Sequence, residues 1–138
     1  MGKGFAAFAV REVLMYNDTV IDHFKNPRNV GSMDQPDGEG YAENSVCGDA
    51  MTLYLRIAGG RITEAKFRTF GCAAAIAASS ALTEMLRGRT PEDALQIRKE
   101  DVAGALGGLP PTKLHCSVLA EDAILAAVSD FRRKHPGA

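Results

Sequence analysis

The sequence predicts an α+β fold in which helices pack on one face of a small antiparallel sheet of about three strands. Apolar and polar residues alternate with a period of two in MTLYLRIAGGRITEAKFRTF, on both sides of Gly59-Gly60. Helical patterns follow this segment to the end of the chain. The length of 138 residues suits one domain with its own hydrophobic core.

The first element is predicted from YNDTVIDHFKNPRNVG, which has the pattern of a short amphipathic helix. Val20, Ile21 and Phe24 form its expected apolar side. Asn26-Pro27 ends it, because the residue before a proline is disfavoured in helical conformation. A loop rich in Gly, Asp and Pro is expected to follow over residues 31–40.

The sheet is predicted from the alternating segment. Met51 to Ile57 form one strand, Gly59-Gly60 supplies a two-residue turn, and residues 62–70 form the antiparallel partner. We expect a third strand around residues 41–46, just before this hairpin.

Helices are predicted after the hairpin. Small residues dominate CAAAIAASSALTEMLRG, in which Ile76, Leu82 and Leu86 offer a packing face and Gly88 a stop. Thr90-Pro91 predicts a capped helix start, with Asp93 completing a box-like pattern.

Two further helices complete the prediction. A short one is expected over about residues 99–106, ending at Gly107-Gly108. The last is expected over about residues 117–133, burying Ile124, Val128 and Phe131 at helical spacing.

Composition excludes several classes of function. Sixteen basic and seventeen acidic residues give a net charge of -1, which predicts no strong attraction to nucleic acid or to an acidic membrane. No apolar run approaches the roughly 18 residues of a membrane-spanning helix. The apolar stretch from Phe5 to Val10 is shorter than the core of a secretory signal, about 7 to 15 residues. We therefore predict a cytoplasmic protein.

The three cysteines lie at the ends of predicted elements. Their odd number rules out a closed set of internal disulfides. Cys47 lies in the loop before the hairpin, Cys72 between the second strand and the long helix, and Cys116 just ahead of the last helix. Helix starts stabilise thiolates, the form that binds metal or attacks sulfur. This placement favours one shared metal or sulfur site over three unrelated cysteines.

Polar neighbours of the cysteines extend the predicted site. Asp49 and His115 are candidate additional ligands, and Lys113 adds positive charge beside Cys116. No C-x-x-C pair occurs, so the spacing is not that of a zinc finger or ribbon. Three thiolates with one weaker nitrogen or oxygen ligand would hold a soft metal less permanently than four thiolates.

Several motifs point to one family. SVCGDAM, FRTFGCAAAIAASSALTEMLRG and LPPTKLHCSVLAEDAI, in this order and spacing, closely resemble the IscU/NifU-type iron–sulfur cluster scaffold family. DHFKNPRNVGSMD resembles the N-terminal segment of the same family. The similarity covers residues 16–133, nearly the whole chain.

The resemblance implies a role for each site residue. Cys47, Cys72 and Cys116 would be the thiolates on which iron and sulfide assemble into a transient 2Fe–2S cluster, and one of them would accept persulfide. Asp49 matches an aspartate that takes part in metal binding and keeps the cluster labile. His115 would be either a fourth ligand or a partner of the ligands, and Lys113 would steady thiolates or persulfide.

The resemblance also implies partners. The sulfur donor would be a cysteine desulfurase, and the recipients would be apo iron–sulfur proteins or carriers. The stretch Leu109, Pro110, Pro111, Thr112 and Lys113 resembles the family's recognition site for an Hsp70-type chaperone. Zinc can occupy the same pocket, and a homo-oligomer is compatible with the family. The protein would be a scaffold and carrier rather than a turnover enzyme, with residues 1–15 as a flexible extension and residues 16–138 as the working domain.

Two other classes of function remain open from the residues alone. The same side chains could form a zinc site, either a closed structural one or that of a sulfur-accepting enzyme. Alternatively, the protein could be an interaction module in which the cysteines are incidental.

Overall fold

The computed structural model describes residues 16–45 and 48–137, so the predicted extension over residues 1–15 lies outside the described residues. The elements are α1 (Asp18–Lys25), β1 (Gly38–Asn44), β2 (Asp49–Ala58), β3 (Arg61–Phe70), α2 (Ala73–Leu86), α3 (Pro91–Ala94), α4 (Lys99–Ala105), a 3₁₀ turn (Pro111–Lys113) and α5 (His115–Lys134). Within these ranges the predicted α+β class is confirmed.

The sheet has the strand order β1-β2-β3 and is antiparallel throughout. The hairpin prediction is confirmed, with Ala50 opposite Phe70 at one end and Ala58 opposite Arg61 at the other. The third strand exists, but it begins at Gly38, earlier than the predicted start at residue 41. The predicted loop was too long because glycines at these positions serve close packing rather than turns.

Two glycines on β1 let the longest helix approach the sheet. A Cβ on Gly38 would lie 2.5 Å from the Ala127 carbonyl oxygen, and one on Gly40 would lie 2.3 Å from the Ala127 nitrogen. Helix α5 therefore packs with its backbone directly against β1. Alternate β2 residues, including Leu53 and Leu55, turn their side chains into the same core.

Helix α2 is buried on most of its surface. Its alanines and serines permit close packing, and Leu82 and Leu86 are fully buried as predicted. Ile76 is only half-buried, which corrects its place in the predicted packing face. Because the small residues make the tight contacts, the bulkier Ile76 side chain lies at the open edge.

Helix α1 packs against α2 through a polar contact. Asn17 caps α1 by accepting a hydrogen bond from the Val20 N–H at 2.9 Å. The buried His23 pairs through Nδ1 with the Ser80 hydroxyl at 2.8 Å, whereas Phe24 is 38% exposed. The predicted apolar side was wrong at Phe24, because the hydrogen bond turns the face containing Val20 and His23 toward the core.

The helix cap predicted at Thr90 is present in the structure. The Thr90 hydroxyl accepts a hydrogen bond from the Asp93 N–H at 3.1 Å. Helix α5 buries Ile124, Val128 and Phe131 as predicted, but it begins at His115 rather than near residue 117. Among the described residues, no helix has the length and apolar character that crossing a membrane requires.

Candidate metal and sulfur site

Three elements bring two thiols and a carboxylate together at one end of the sheet. Asp49 is the first residue of β2, Cys72 is the N-cap of α2, and Cys116 lies in the first turn of α5. The Cys72 and Cys116 sulfurs are 3.6 Å apart. Asp49 Oδ2 lies 4.0 Å from the Cys72 sulfur and 3.8 Å from the Cys116 sulfur. Cys116 was predicted to precede α5 and instead lies within it, because the helix starts two residues earlier.

Asp49 is held by the backbone at the start of α2. Its side chain is buried, with a residue exposure of 4%, and Oδ1 accepts a hydrogen bond from the Cys72 N–H at 3.4 Å. A Cβ on Gly71 would lie 2.5 Å from Oδ1, so the missing side chain makes room for the carboxylate. One oxygen is thus anchored while the other faces the two sulfurs.

His115 joins the group from the solvent side. Its Nε2 atom lies 3.9 Å from Asp49 Oδ2, and its side chain is about one-third exposed. Potential ligand atoms of Asp49, His115 and Cys116 all lie within 4.8 Å of one another. Oxygen, nitrogen and sulfur donors are therefore close enough to bind one metal ion.

A hydrogen bond between the two thiols gives them different pKa values. The pKa of Cys72 is lowered to about 6, chiefly by its hydrogen bond with the Cys116 side chain. The Ala75 N–H and the charge of Lys113 lower it further, against the opposing effects of burial and of Asp49. The pKa of Cys116 is raised above its usual range by the same hydrogen bond with Cys72 and by burial. Cys72 is therefore the thiol that ionises first.

The loop before α5 presents the predicted recognition stretch. Leu109 packs against the core, whereas Pro111 and Thr112 are exposed at the start of the 3₁₀ turn. Lys113 is the last residue of this turn and is half-buried. Its positive charge acts to lower the pKa of both thiols. The stretch is thus anchored at one end and accessible in the middle.

Cys47 lies outside the described residues. The neighbouring Gly48 has a positive φ of 73°, a conformation that favours glycine. Gly48, Asp49 and Cys72 line an open cleft of about 460 Å³, together with Phe70 and Ile76.

Two features of this cleft were not predicted from the sequence. Phe70, at the end of β3, is 79% exposed and forms an apolar wall of the cleft that Cys72 also lines. The position of Phe70 directly before Gly71-Cys72 is the sequence feature that could have indicated its place beside the site. The second feature is the close approach of the Asp49 carboxylate to Gly71, which the sequence pattern did not indicate.

Comparison with known proteins agrees with this geometry. The profile of the family described as NifU-like N terminal domain matches residues 15–137. The iron-sulfur cluster assembly scaffold protein IscU 1 of Archaeoglobus fulgidus is 56% identical over 121 residues, covering 88% of this chain and 79% of that protein. The scaffold protein IscU of Azotobacter vinelandii is 50% identical over 125 residues, covering 88% and 97%. The crystal structure of a putative iron-sulfur cluster assembly scaffold protein for the SUF system from Fervidobacterium islandicum matches with a TM-score of 0.69 at 21% identity. The match covers 83% of this chain and 97% of that one, and it supports the fold.

Proposed function

This chain belongs to the NifU-like N-terminal domain family, and we propose that it is an iron–sulfur cluster assembly scaffold. It accepts sulfur from a cysteine desulfurase, takes up iron, builds a transient 2Fe–2S cluster and passes it to apo-proteins or carriers. The supporting observation is the meeting of two thiols, a buried carboxylate and an imidazole from three separate elements. Relatives named as iron–sulfur cluster assembly scaffold proteins support the same assignment.

Each residue has a distinct proposed role. Cys47, Cys72 and Cys116 supply the soft thiolates that iron and sulfide require, and one of them accepts persulfide. Asp49 is a hard oxygen donor, so it holds iron less firmly than a fourth thiolate would and keeps the cluster exchangeable. His115 supplies a nitrogen ligand or orients Asp49, and Lys113 stabilises negative sulfur.

The cluster is cargo rather than a resident cofactor. The site opens into a cleft with an exposed phenylalanine wall, which supports access by a partner. The same donor set suits zinc, which also binds sulfur, nitrogen and oxygen ligands. We propose that zinc occupies the site when iron and sulfide are absent, and that the protein is a carrier, not a turnover enzyme.

Partners and location follow from this role. The exposed stretch around Pro111 and Thr112 is the proposed contact for an Hsp70-type chaperone. Residues 16–138 form the working domain and residues 1–15 an extension, and homo-oligomers are compatible with exchange of cargo. Free thiols point to a reducing compartment, so we place the protein in the cytoplasm.

The test is anaerobic assembly with iron, cysteine and a desulfurase, followed by visible absorption. Wild type is expected to develop sulfide-to-iron charge-transfer bands. Ser substitution of Cys47, Cys72 or Cys116 is expected to abolish most of this absorption, because a hard oxygen replaces a soft sulfur. The exposed Asp122 provides a control, since Asp122→Ala should leave assembly unchanged. A colourless wild type that retains one tightly bound zinc would refute the scaffold role and favour a structural zinc site.

A further inference from the structure

Two of the site's thiols lie at van der Waals contact. The Cys72 and Cys116 sulfurs are 3.6 Å apart, and a disulfide bond is about 2.05 Å long, so closing the pair requires a movement of about 1.5 Å. Their segments are 44 residues apart in sequence and are held by α2 and α5. Effective concentrations of groups held in such contact greatly exceed those of reagents in solution.

The proposed function leaves an electron balance to be satisfied. Sulfur delivered as a persulfide is sulfane sulfur, whereas the bridging sulfur of a cluster is sulfide. Each sulfur must therefore gain two electrons before it enters a cluster. Two neighbouring thiols can supply two electrons by becoming a disulfide.

We propose that the Cys72–Cys116 pair reduces delivered sulfane sulfur to sulfide and is itself oxidised to a disulfide. This inference rests on the proposed function and adds a redox step to the same site. In the step, the thiolate of one cysteine attacks the carbon-bound sulfur of a persulfide on the other. The S–S bond to the outer sulfur breaks as the Cys72–Cys116 bond forms.

The step is balanced without an external oxidant. Cys–S–SH and Cys–S⁻ give Cys–S–S–Cys and HS⁻, so the outer sulfur gains two electrons and each cysteine sulfur loses one. The persulfide proton leaves with the sulfide. The reaction is the same whichever of the two cysteines carries the persulfide. A dithiol of the thioredoxin class or dithiothreitol must then reduce the disulfide before another cycle.

The two cysteines differ in solvent access, and this difference suits the proposed order of steps. Cys116 is 2% exposed, whereas Cys72 is half-buried and lines the open cleft. An external dithiol can therefore reach the Cys72 sulfur more readily than the Cys116 sulfur. Asp49 Oδ2 contacts both thiols and can accept a hydrogen bond from whichever sulfur is protonated.

The test uses the full chain without metal, treated anaerobically with glutathione persulfide and no other reductant. Sulfide is measured as released gas after acidification, and intact mass and peptide mapping follow. Wild type is expected to release about one sulfide per chain above the donor background, to lose two hydrogens in mass, and to yield a Cys72–Cys116 disulfide peptide. Dithiothreitol should restore both the mass and the next round of release.

Variants identify the two sulfurs. Cys72→Ser and Cys116→Ser are each expected to release less sulfide than wild type, because the glutathione left after sulfur transfer is then the remaining reductant. Neither variant can yield the Cys72–Cys116 disulfide. Cys47→Ser keeps both members of the pair, so it should still form the same disulfide. Wild-type release no greater than that of Cys72→Ser would overturn the proposal, as would a disulfide that maps to Cys47.

A second arm separates this inference from the proposed function. Wild type is supplied with iron, inorganic sulfide and dithiothreitol, which bypass the reduction step. Cluster formation here without release from glutathione persulfide refutes the redox role and leaves the scaffold role standing. Failure to form a cluster from free sulfide refutes the scaffold role itself.

Discussion

Gly71→Ala is expected to displace Asp49 and to destabilise the protein through that one contact. The added Cβ would lie 2.5 Å from Asp49 Oδ1 and 2.9 Å from its Cγ. Asp49 is buried and short, so its carboxylate can move only by rotating away from the Cys72 N–H. Overpacking of this kind costs about 1–3 kcal/mol. At roughly 4 °C per kcal/mol for a domain of this size, the melting temperature should fall by about 4–12 °C.

A double-mutant cycle tests the cause of this loss. Unfolding by urea is measured for the metal-free wild type, Gly71→Ala, Asp49→Ala and the double variant. With Asp49→Ala in place, the nearest remaining contact is the residue 49 Cβ at 3.2 Å, which small shifts relieve. Gly71→Ala should then cost less than about 0.5 kcal/mol, the usual limit of additivity error.

Gly104→Ala is the matched control. Gly104 lies within α4, and a Cβ there would meet nothing within 4 Å. This substitution should stabilise the protein by about 0.5–1 kcal/mol, because alanine loses less backbone freedom in a helix. If Gly71→Ala costs as much in the Asp49→Ala background as in wild type, the carboxylate is not the obstacle and the reasoning fails.

Three further predictions concern the site and its support. Asp49→Ala should still bind metal through the cysteines, but it should transfer its cluster to an apo-ferredoxin more slowly and have a longer-lived holo form. If the variant loses its cluster faster than wild type, or transfers it at the same rate, Asp49 does not control cluster lability. Iodoacetamide should alkylate Cys72 of the metal-free protein at half-maximal rate near pH 6, since its thiolate predominates above a pKa of about 6. Lys113→Ala should raise that midpoint pH, because it removes a positive charge that lowers the pKa of Cys72. The control Lys66→Ala, on the outer face of the sheet, should leave the midpoint unchanged. Equal shifts in the two variants would contradict the effect of Lys113 on Cys72. Gly40→Ala should cost about 3 kcal/mol in urea unfolding, because the added Cβ would overlap the backbone of α5; a loss below about 1 kcal/mol would show that the helix can retreat.

The fold could be predicted largely because local patterns determine its elements. The alternation around Gly59-Gly60 was sufficient for the hairpin, and Thr90 predicted a cap that the structure contains. The orientation of α1 could not be predicted in the same way. His23 contacts Ser80 across 57 positions of sequence, and periodicity reports only which residues are apolar.

The site was partly predictable for a related reason. Cys72 and Cys116 were expected at element ends, and both occupy helix starts. The contact of Asp49 with Gly71 depends on the pairing of Ala50 with Phe70, which brings the start of β2 beside the end of β3. A sequence does not contain that register explicitly. The exposure of Phe70 likewise depends on where the strand ends relative to α2.

The origin of the ligands in distant segments means that cargo would act as a cross-link. Asp49 and Cys72 are 23 residues apart, and Asp49 and Cys116 are 67 residues apart. A metal bound to all three would close both loops, as a disulfide does, and would favour the folded chain over the unfolded one. The converse also follows. Unravelling β2 would remove the donor that both loops share, and unravelling α2 or α5 would open one loop and remove one donor. A partner that pulls on one of these segments could therefore empty the site without contacting the metal.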